Sequence, residues 1–179
     1  MSDAAKDDAG AREDRAHDVW ICDFSDADDR ADFTRLMVEF AAEPTSASAQ
    51  LDAAHFTRVA DDLSRRAGTL VLLAARAESE ATEGVLIAFE GYSSFARAPL
   101  FNIHDVHVTA SARGSGLGSS MIEALAELGR EHRHAKLTLE VSATNTGAIR
   151  LYRRLGFSGL DNLPVEAPAG TTYFANKKL

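Results

Sequence analysis

Between Arg113 and Ser120 the chain reads RGSGLGSS, three glycines within five residues, and runs straight into MIEALAELGRE. Leu117, Met121, Ile122, Leu125 and Leu128 fall on one face of a helix, so the glycines stand at a helix mouth. The first turn of a helix exposes unpaired N–H groups and the positive end of the macrodipole, which favours an anion. Glycine lets that anion reach the backbone with no Cβ in the way. A dinucleotide turn needs G-x-G-x-x-G, and Ser119 stands where the third glycine belongs. A nucleoside-triphosphate loop needs a Lys-Ser/Thr pair after its glycines, and none follows. An anion seat and a tight turn without a ligand remain. Just upstream, LFNIHDVHV (100–108) carries His104, Asp105 and His107, side chains that exchange protons near neutral pH or read a cation. Strict alternation puts Asn102, His104, Val106 and Val108 on one face of that strand and Ile103, Asp105 and His107 on the other.

These residues need a scaffold, and the pattern supplies one. VWICDF (19–24) reads as a strand that ends at the helix N-cap types Ser25 and Asp26. A helix through Phe33, Leu36, Met37 and Phe40 stops at Pro44, a loop covers 45–50, and a second helix spans 51–66 and closes at Gly68. TLVLLAAR (69–76) and VLIAFEGY (85–92), joined by polar ESEATEG, predict an antiparallel hairpin, followed by a third strand over 100–108. After the glycine helix come a strand at 136–141, a helix at 146–155 closed by Gly156, and a last strand around YFANKK. The order β-α-α-β-β-β-α-β-α-β is α+β, with a mixed, mostly antiparallel sheet and a parallel pair across the 100–141 crossover.

The 179 residues suit one domain with a tail. Residues 1–18 hold six acids against three bases and almost no large apolar side chain, which predicts a disordered acidic tail ahead of a domain at 19–179. The net charge of −8 speaks against a nucleic-acid binder and is compatible with a cationic substrate. No apolar run is long enough for a membrane span, and the N-terminus lacks the basic-then-apolar order of a signal peptide. With the single Cys22, these features point to the cytoplasm and exclude an internal disulfide.

Written as Arg113-x-x-Gly116-x-Gly118 after a strand ending at Val108, the glycine stretch resembles the pyrophosphate-binding R/Q-x-x-G-x-G/A signature of the GNAT superfamily of acetyl-CoA-dependent N-acetyltransferases. About thirty residues on, Asn145-x-x-Ala148-x-x-Leu151-Tyr152-x-x-Leu155-Gly156-Phe157 is similar to that family's second signature. The resemblance spans roughly 19–179 and is specific over 101–157.

The resemblance implies a GNAT fold with helices on both faces of the sheet and two central strands splayed around the pantetheine arm of acetyl-CoA. It sets the main chains of Val106, His107 and Val108 along that arm. Arg113 and the amides of Gly114, Ser115, Gly116, Leu117, Gly118 and Ser119 then surround the pyrophosphate, with Asn145 and Tyr152 facing the cofactor. Tyr152 matches the family's general acid. His104-Asp105 stands where polyamine-type relatives carry Glu-Asp with the Glu as base, so His104 becomes the proton acceptor, working through water, and Asp105 orients a neighbour or reads positive charge. The His107 side chain is given a structural part, and no metal is required. Helices over 33–66 and the loop at 92–97, with Tyr92 and Phe95, are expected to shape the acceptor site.

With Cys22 far along the chain from both signatures, the reading is direct attack by a primary amine in a ternary complex, the amine belonging to a small molecule. Protein N-termini or lysines are the alternative acceptors. A non-catalytic acyl-CoA sensor or scaffold is the alternative of another class, and relatives of this type often form homodimers.

Overall fold

In the apolar octet TLVLLAAR and the first half of VLIAFEGY both side-chain faces are sheltered, and these segments form the part of the sheet that is covered on both faces. The computed structural model describes residues 16–43, 50–164, 167–168 and 170–179. Its elements are β1 (His17–Ile21), α1 (Ala27–Ala41), α2 (Ala53–Arg65), β2 (Thr69–Arg76), β3 (Gly84–Ser93), β4 (Ala98–Val108), a 3-10 turn (Ala110–Ala112), α3 (Leu117–Glu131), β5 (Lys136–Ser142), α4 (Thr146–Arg154) and β6 (Thr172–Lys178). The strands lie in chain order, β1 to β6, and every neighbouring pair is antiparallel except the parallel β4–β5. The expected element order and parallel crossover pair are therefore found. No helix among the described residues is long and apolar enough to cross a membrane.

Boundaries moved where side-chain chemistry overrode pattern. β1 starts at His17, two residues ahead of the expected domain start, because Asp18 pairs through its backbone with Ala75 whatever its side chain. It ends at Ile21 rather than Phe24: the Asp23 carboxylate accepts from the Ser25 N–H at 2.8 Å, turning the chain toward α1. Asp26 then caps α1, accepting from the amides of Asp28 and Asp29. Helix α2 closes at Arg66, and Gly68 instead makes the left-handed turn into β2 at φ +75°. The expected tail up to residue 15, the stop at Pro44 and the loop over 45–49 lie outside the described residues.

Two cores form, one on each face. Leu72, Ala74, Leu86 and Ala88 pack with α3, α4 and β5. Val71, Leu73, Val85 and Ile87 alternate with them and pack with Phe33, Leu36 and Met37 of α1 and Phe56 and Ala60 of α2. This alternation between two buried faces is why β2 and β3 read as continuous apolar runs. At the turn between them, Arg76 donates two side-chain hydrogen bonds to buried Glu83, at 2.9 and 2.7 Å, holding that carboxyl down to about pKa 2. The Glu83 carbonyl accepts from Thr109 N–H at 2.9 Å, which pins the chain just past β4.

In β4 the simple alternation fails. Ile103 pairs with Ala88 but Asp105 pairs with Ile87, so His104 is an extra residue, a β-bulge. The bulge reverses the side-chain parity past it. Phe101, Ile103, Val106 and Val108 all join the α3-side core, whereas His107 packs against α1. Val106 and Val108 therefore do not share a face with Asn102 and His104, and Ile103 does not share one with Asp105 and His107. His104 and Asp105 together oppose Ile87 on the α1/α2 side.

Helix α3 is anchored by Leu117, Met121, Ile122 and Leu125, each at most 1% exposed. Replacing Leu125 by alanine leaves a void under that helix and is expected to cost about 2–5 kcal/mol of stability, read as a lowered midpoint in urea unfolding.

Candidate functional site

Main-chain pairing between β4 and β5 is confined to Phe101, Asn102 and Ile103 against Leu137, Thr138 and Leu139. β4 nevertheless runs on to Val108 and β5 to Ser142. Both extensions are held from outside, β4 by β3 as far as Val108 and β5 by β6 as far as Ser142, so the strands part with no local melting. The parted edges expose main-chain donors and acceptors that the sheet itself does not satisfy there.

A cleft of about 540 Å³ opens at this fork. Val106, His107 and Val108 line one side, Arg113, Gly114, Gly116, Leu117, Gly118 and Ser119 the mouth, and Asn145 and Tyr152 the far wall. Every expected cofactor position except Ser115 lies on this surface. The Ser115 hydroxyl instead accepts from the Leu117 amide at 3.3 Å.

The helix mouth leaves backbone amides open. Gly116 is the N-cap of α3 at φ +98° and has no side chain to cap it, Gly114 sits at φ +83°, and only the Leu117 amide meets a side chain, that of Ser115. The amides of Gly118 and Ser119 are thus free of any side-chain acceptor among the described residues, at the positive end of α3. Gly118 differs from its neighbours: its φ is not positive, and a Cβ would meet only Leu151 and Val108 at 3.6 and 3.7 Å, ordinary contact. That matches the G/A tolerance of the signature at this position. These features fit a diphosphate at the mouth and an extended arm along the β4 edge.

Asn145 is the N-cap of α4, its side-chain oxygen accepting from Ala148 N–H at 3.0 Å. Tyr152, two turns on, is 7% exposed and packs against Phe157 with ring centroids 5.5 Å apart. Burial pushes its phenol up to about 12, so it keeps its proton at physiological pH and has one to donate. Cys22 is buried in the α1-side core, away from the cleft lining, and burial, with Asp29 and Asp23 beside it, pushes its thiol up to about 12. It is a poor nucleophile there.

The expected proton-handling pair stands just short of this surface. His104 is exposed, edge-on to the Phe89 ring at 5.3 Å, and Asp105 is half-buried beside it. Burial raises the Asp105 carboxyl above the usual carboxylate range, while His104 pulls it the other way. Neither lines the cleft. Tyr92 and Phe95 are exposed at the opposite end of β4, near Ala98, and do not reach it either. An eleven-residue strand separates its two ends by roughly 33 Å.

Five cleft residues were not singled out from sequence. Phe40 comes from the end of α1 and Glu43 from just past it, Ala112 from the 3-10 turn, Gly147 from the start of α4 and Arg154 from its end. The i,i+4 acids Glu39 and Glu43 flanking Phe40 were the available signal. Glu43 accepts a hydrogen bond from Arg113 Nη2 and lies 2.9 Å from His107 Nδ1, while Arg113 Nε donates to the Val108 carbonyl at 3.1 Å. The buried His107 side chain packs against Phe40 of α1, with ring centroids 5.4 Å apart, and also lines the cleft.

Residues 30–157 match the profile of the Acetyltransferase (GNAT) family. Streptothricin acetyltransferase of Streptomyces lavendulae is 37% identical over 82 residues, covering 45% of this chain and 43% of that protein. L-methionine sulfoximine/L-methionine sulfone acetyltransferase of Pseudomonas aeruginosa is 31% identical over 107 residues, 58% of this chain and 59% of its own. The chain therefore matches only about half the length of these relatives. A crystal structure of a probable acetyltransferase superposes with a TM-score of 0.69 at 15% identity, over 84% of this chain and 95% of its own.

Two tests follow from this geometry. Gly116→Ala forces a Cβ into a left-handed conformation and is expected to cost about 1–2 kcal/mol, whereas Gly118→Ala leaves the urea midpoint unchanged or raises it. Tyr152 ionises near 10 in the unfolded chain and near 12 in the folded one. Its contribution is therefore fully present below pH 10 and is lost as pH rises toward 12. Urea unfolding at pH 9 and pH 11 is expected to show a smaller loss of stability for Tyr152→Phe than for the parent.

Proposed function

The chain belongs to the GNAT acetyltransferase family, and from that premise we propose that it transfers the acetyl group of acetyl-CoA to a primary amine of a small, positively charged molecule. The observation that carries the proposal is the cleft at the β4–β5 fork, where an open strand edge, the open Gly118 and Ser119 amides of a helix N-terminus and a buried phenol meet. The amides of Gly118 and Ser119 hold the diphosphate, and the β4 edge from Val106 to Val108 pairs with the pantetheine arm. Hydrogen bonds from such groups to an anion contribute roughly 1.5–3 kcal/mol each, which explains how a site with no lysine in its lining retains the donor. The two relatives are named for acetylation of small molecules, which supports a small-molecule acceptor here.

When bound, acetyl-CoA supplies an acetyl thioester whose C–S bond is exchanged for a C–N bond to the amine. Tyr152 donates its phenolic proton to the sulfur as that bond breaks. The attacking nitrogen, left with one proton too many, gives it up through water to the His104–Asp105 pair on the bulge. A carboxyl raised by burial is a better proton acceptor than a solvated one, and the adjacent imidazole shares the load. A protonated alkylamine near pKa ~10.4 costs on the order of 4–5 kcal/mol to present as the free base at pH 7, which is the task this pair performs. The buried Cys22 takes no part, so the acetyl group passes directly.

A thiol-release assay with acetyl-CoA and a panel of mono-, di- and polyamines, amino acids and peptides tests this. Release that depends on a small cationic amine is the expected result. Tight CoA binding with no transfer to any acceptor would make the chain a binding module instead. Tyr152→Phe is expected to lower kcat about 100-fold or more with acetyl-CoA affinity near the parent's; a variant with full kcat removes Tyr152 from the mechanism.

A further inference from the structure

One carboxylate oxygen at the α1 end of the cleft is contested. Glu43 Oε1 accepts from Arg113 Nη2 and lies 2.9 Å from His107 Nδ1. Glu39 Oε1 lies 3.5 Å from His107 Nε2, a buried nitrogen with no hydrogen-bond partner among the described residues. The Arg113 side chain is 55% exposed and Glu43 only 24%. A half-solvated cation therefore covers a more sheltered acid, where the wall from α1 meets the glycine mouth of α3.

A diphosphate at that mouth changes the competition. It carries more charge than a single carboxylate and presents paired oxygens suited to the guanidinium fork. Arg113, one residue before Gly114, is within reach of both. Once the guanidinium turns to the diphosphate, Glu43 keeps only its imidazole partner, with the second acid, Glu39, on the far side of that ring. A sheltered carboxylate deprived of its countercharge is a strong site for another cation.

We propose that Glu43 is the site for a positively charged group of the acceptor, distinct from the amine that reacts, and that Arg113 is its donor-controlled cover. The proposal rests on the acetyl-CoA reading above and deepens it: the diphosphate of the donor uncovers the acid that selects the acceptor. Because the coupling is between two binding equilibria, it is reciprocal.

Calorimetric titration of the full chain with CoA and 1,4-diaminobutane measures it without turnover. CoA is expected to tighten diamine binding by about fivefold or more, and the diamine to tighten CoA by the same factor. Glu43→Gln keeps the shape and an acceptor for His107 but removes the charge. In it the diamine binds weakly with or without CoA, and the coupling falls within about twofold of none. Arg113→Gln works in the opposite sense: the diamine binds the free protein as tightly as it binds the CoA-saturated parent, while CoA itself binds less well. Melting curves of both variants report that they are folded, and either alone suffices. Coupling that survives Glu43→Gln, no coupling in the parent, or no diamine binding in the presence of CoA overturns the assignment while leaving the acetyl-CoA reading in place. Failure of the parent to bind CoA at all sinks that reading, and this one with it.

Discussion

Parallel strands β4 and β5 share three paired positions, and the backbone groups beyond them must find partners outside the sheet. A gap of this kind is costly in a protein interior unless something rigid holds it open and something polar fills it. Both outer neighbours supply the rigidity, since β3 and β6 stay in register along the parted segments. The Thr109 amide on the Glu83 carbonyl fixes where β4 must end. The turn that follows delivers the chain to the mouth of α3, and the buried Leu117, Met121 and Leu125 fix that helix against the same sheet. The glycine mouth, the open strand edge and Tyr152 thus meet at one fork.

Most of this was legible in the sequence because the signals were local and strong. Apolar octets separated by a polar turn can hardly do anything but pair, and three glycines before an amphipathic run fix both the turn and the helix start. What periodicity could not carry was the bulge at His104. Nothing in LFNIHDVHV marks an extra residue, because both registers place apolar side chains acceptably: Phe101 and Ile103 on one side of the insertion, Val106 and Val108 on the other. The decision is made across the sheet, by Ile87 and Ala88, and a strand read alone does not contain it. The result brings His104 and Asp105, expected on opposite faces, to the same one.

The site divides in the same way. Residues tied to the glycine mouth and to α4 were readable from short-range motifs, and the fold gathers nearly all of them at one cleft. The wall from α1 was not, because Phe40 and Glu43 are some seventy residues from Arg113 and meet it only in three dimensions. The loop at 92–97 illustrates the converse error. Tyr92 is the second-last residue of β3 and Phe95 lies between β3 and β4, so they look near the site along the chain, yet strand length carries them to the far end of the hairpin.

The two cores on opposite faces of the sheet have a consequence for how such a protein changes over generations. The glycine mouth and Tyr152 rest mainly on the core of α3, α4 and β5, and α1 and α2 rest on the other core. Substitutions more than about 7–10 Å apart with no shared partners add independently, so the α1/α2 layer can be rebuilt without loosening the glycine mouth. Glu43 with Arg113 and His107 is the one described side-chain bridge at the cleft where such drift meets a constraint from the other layer.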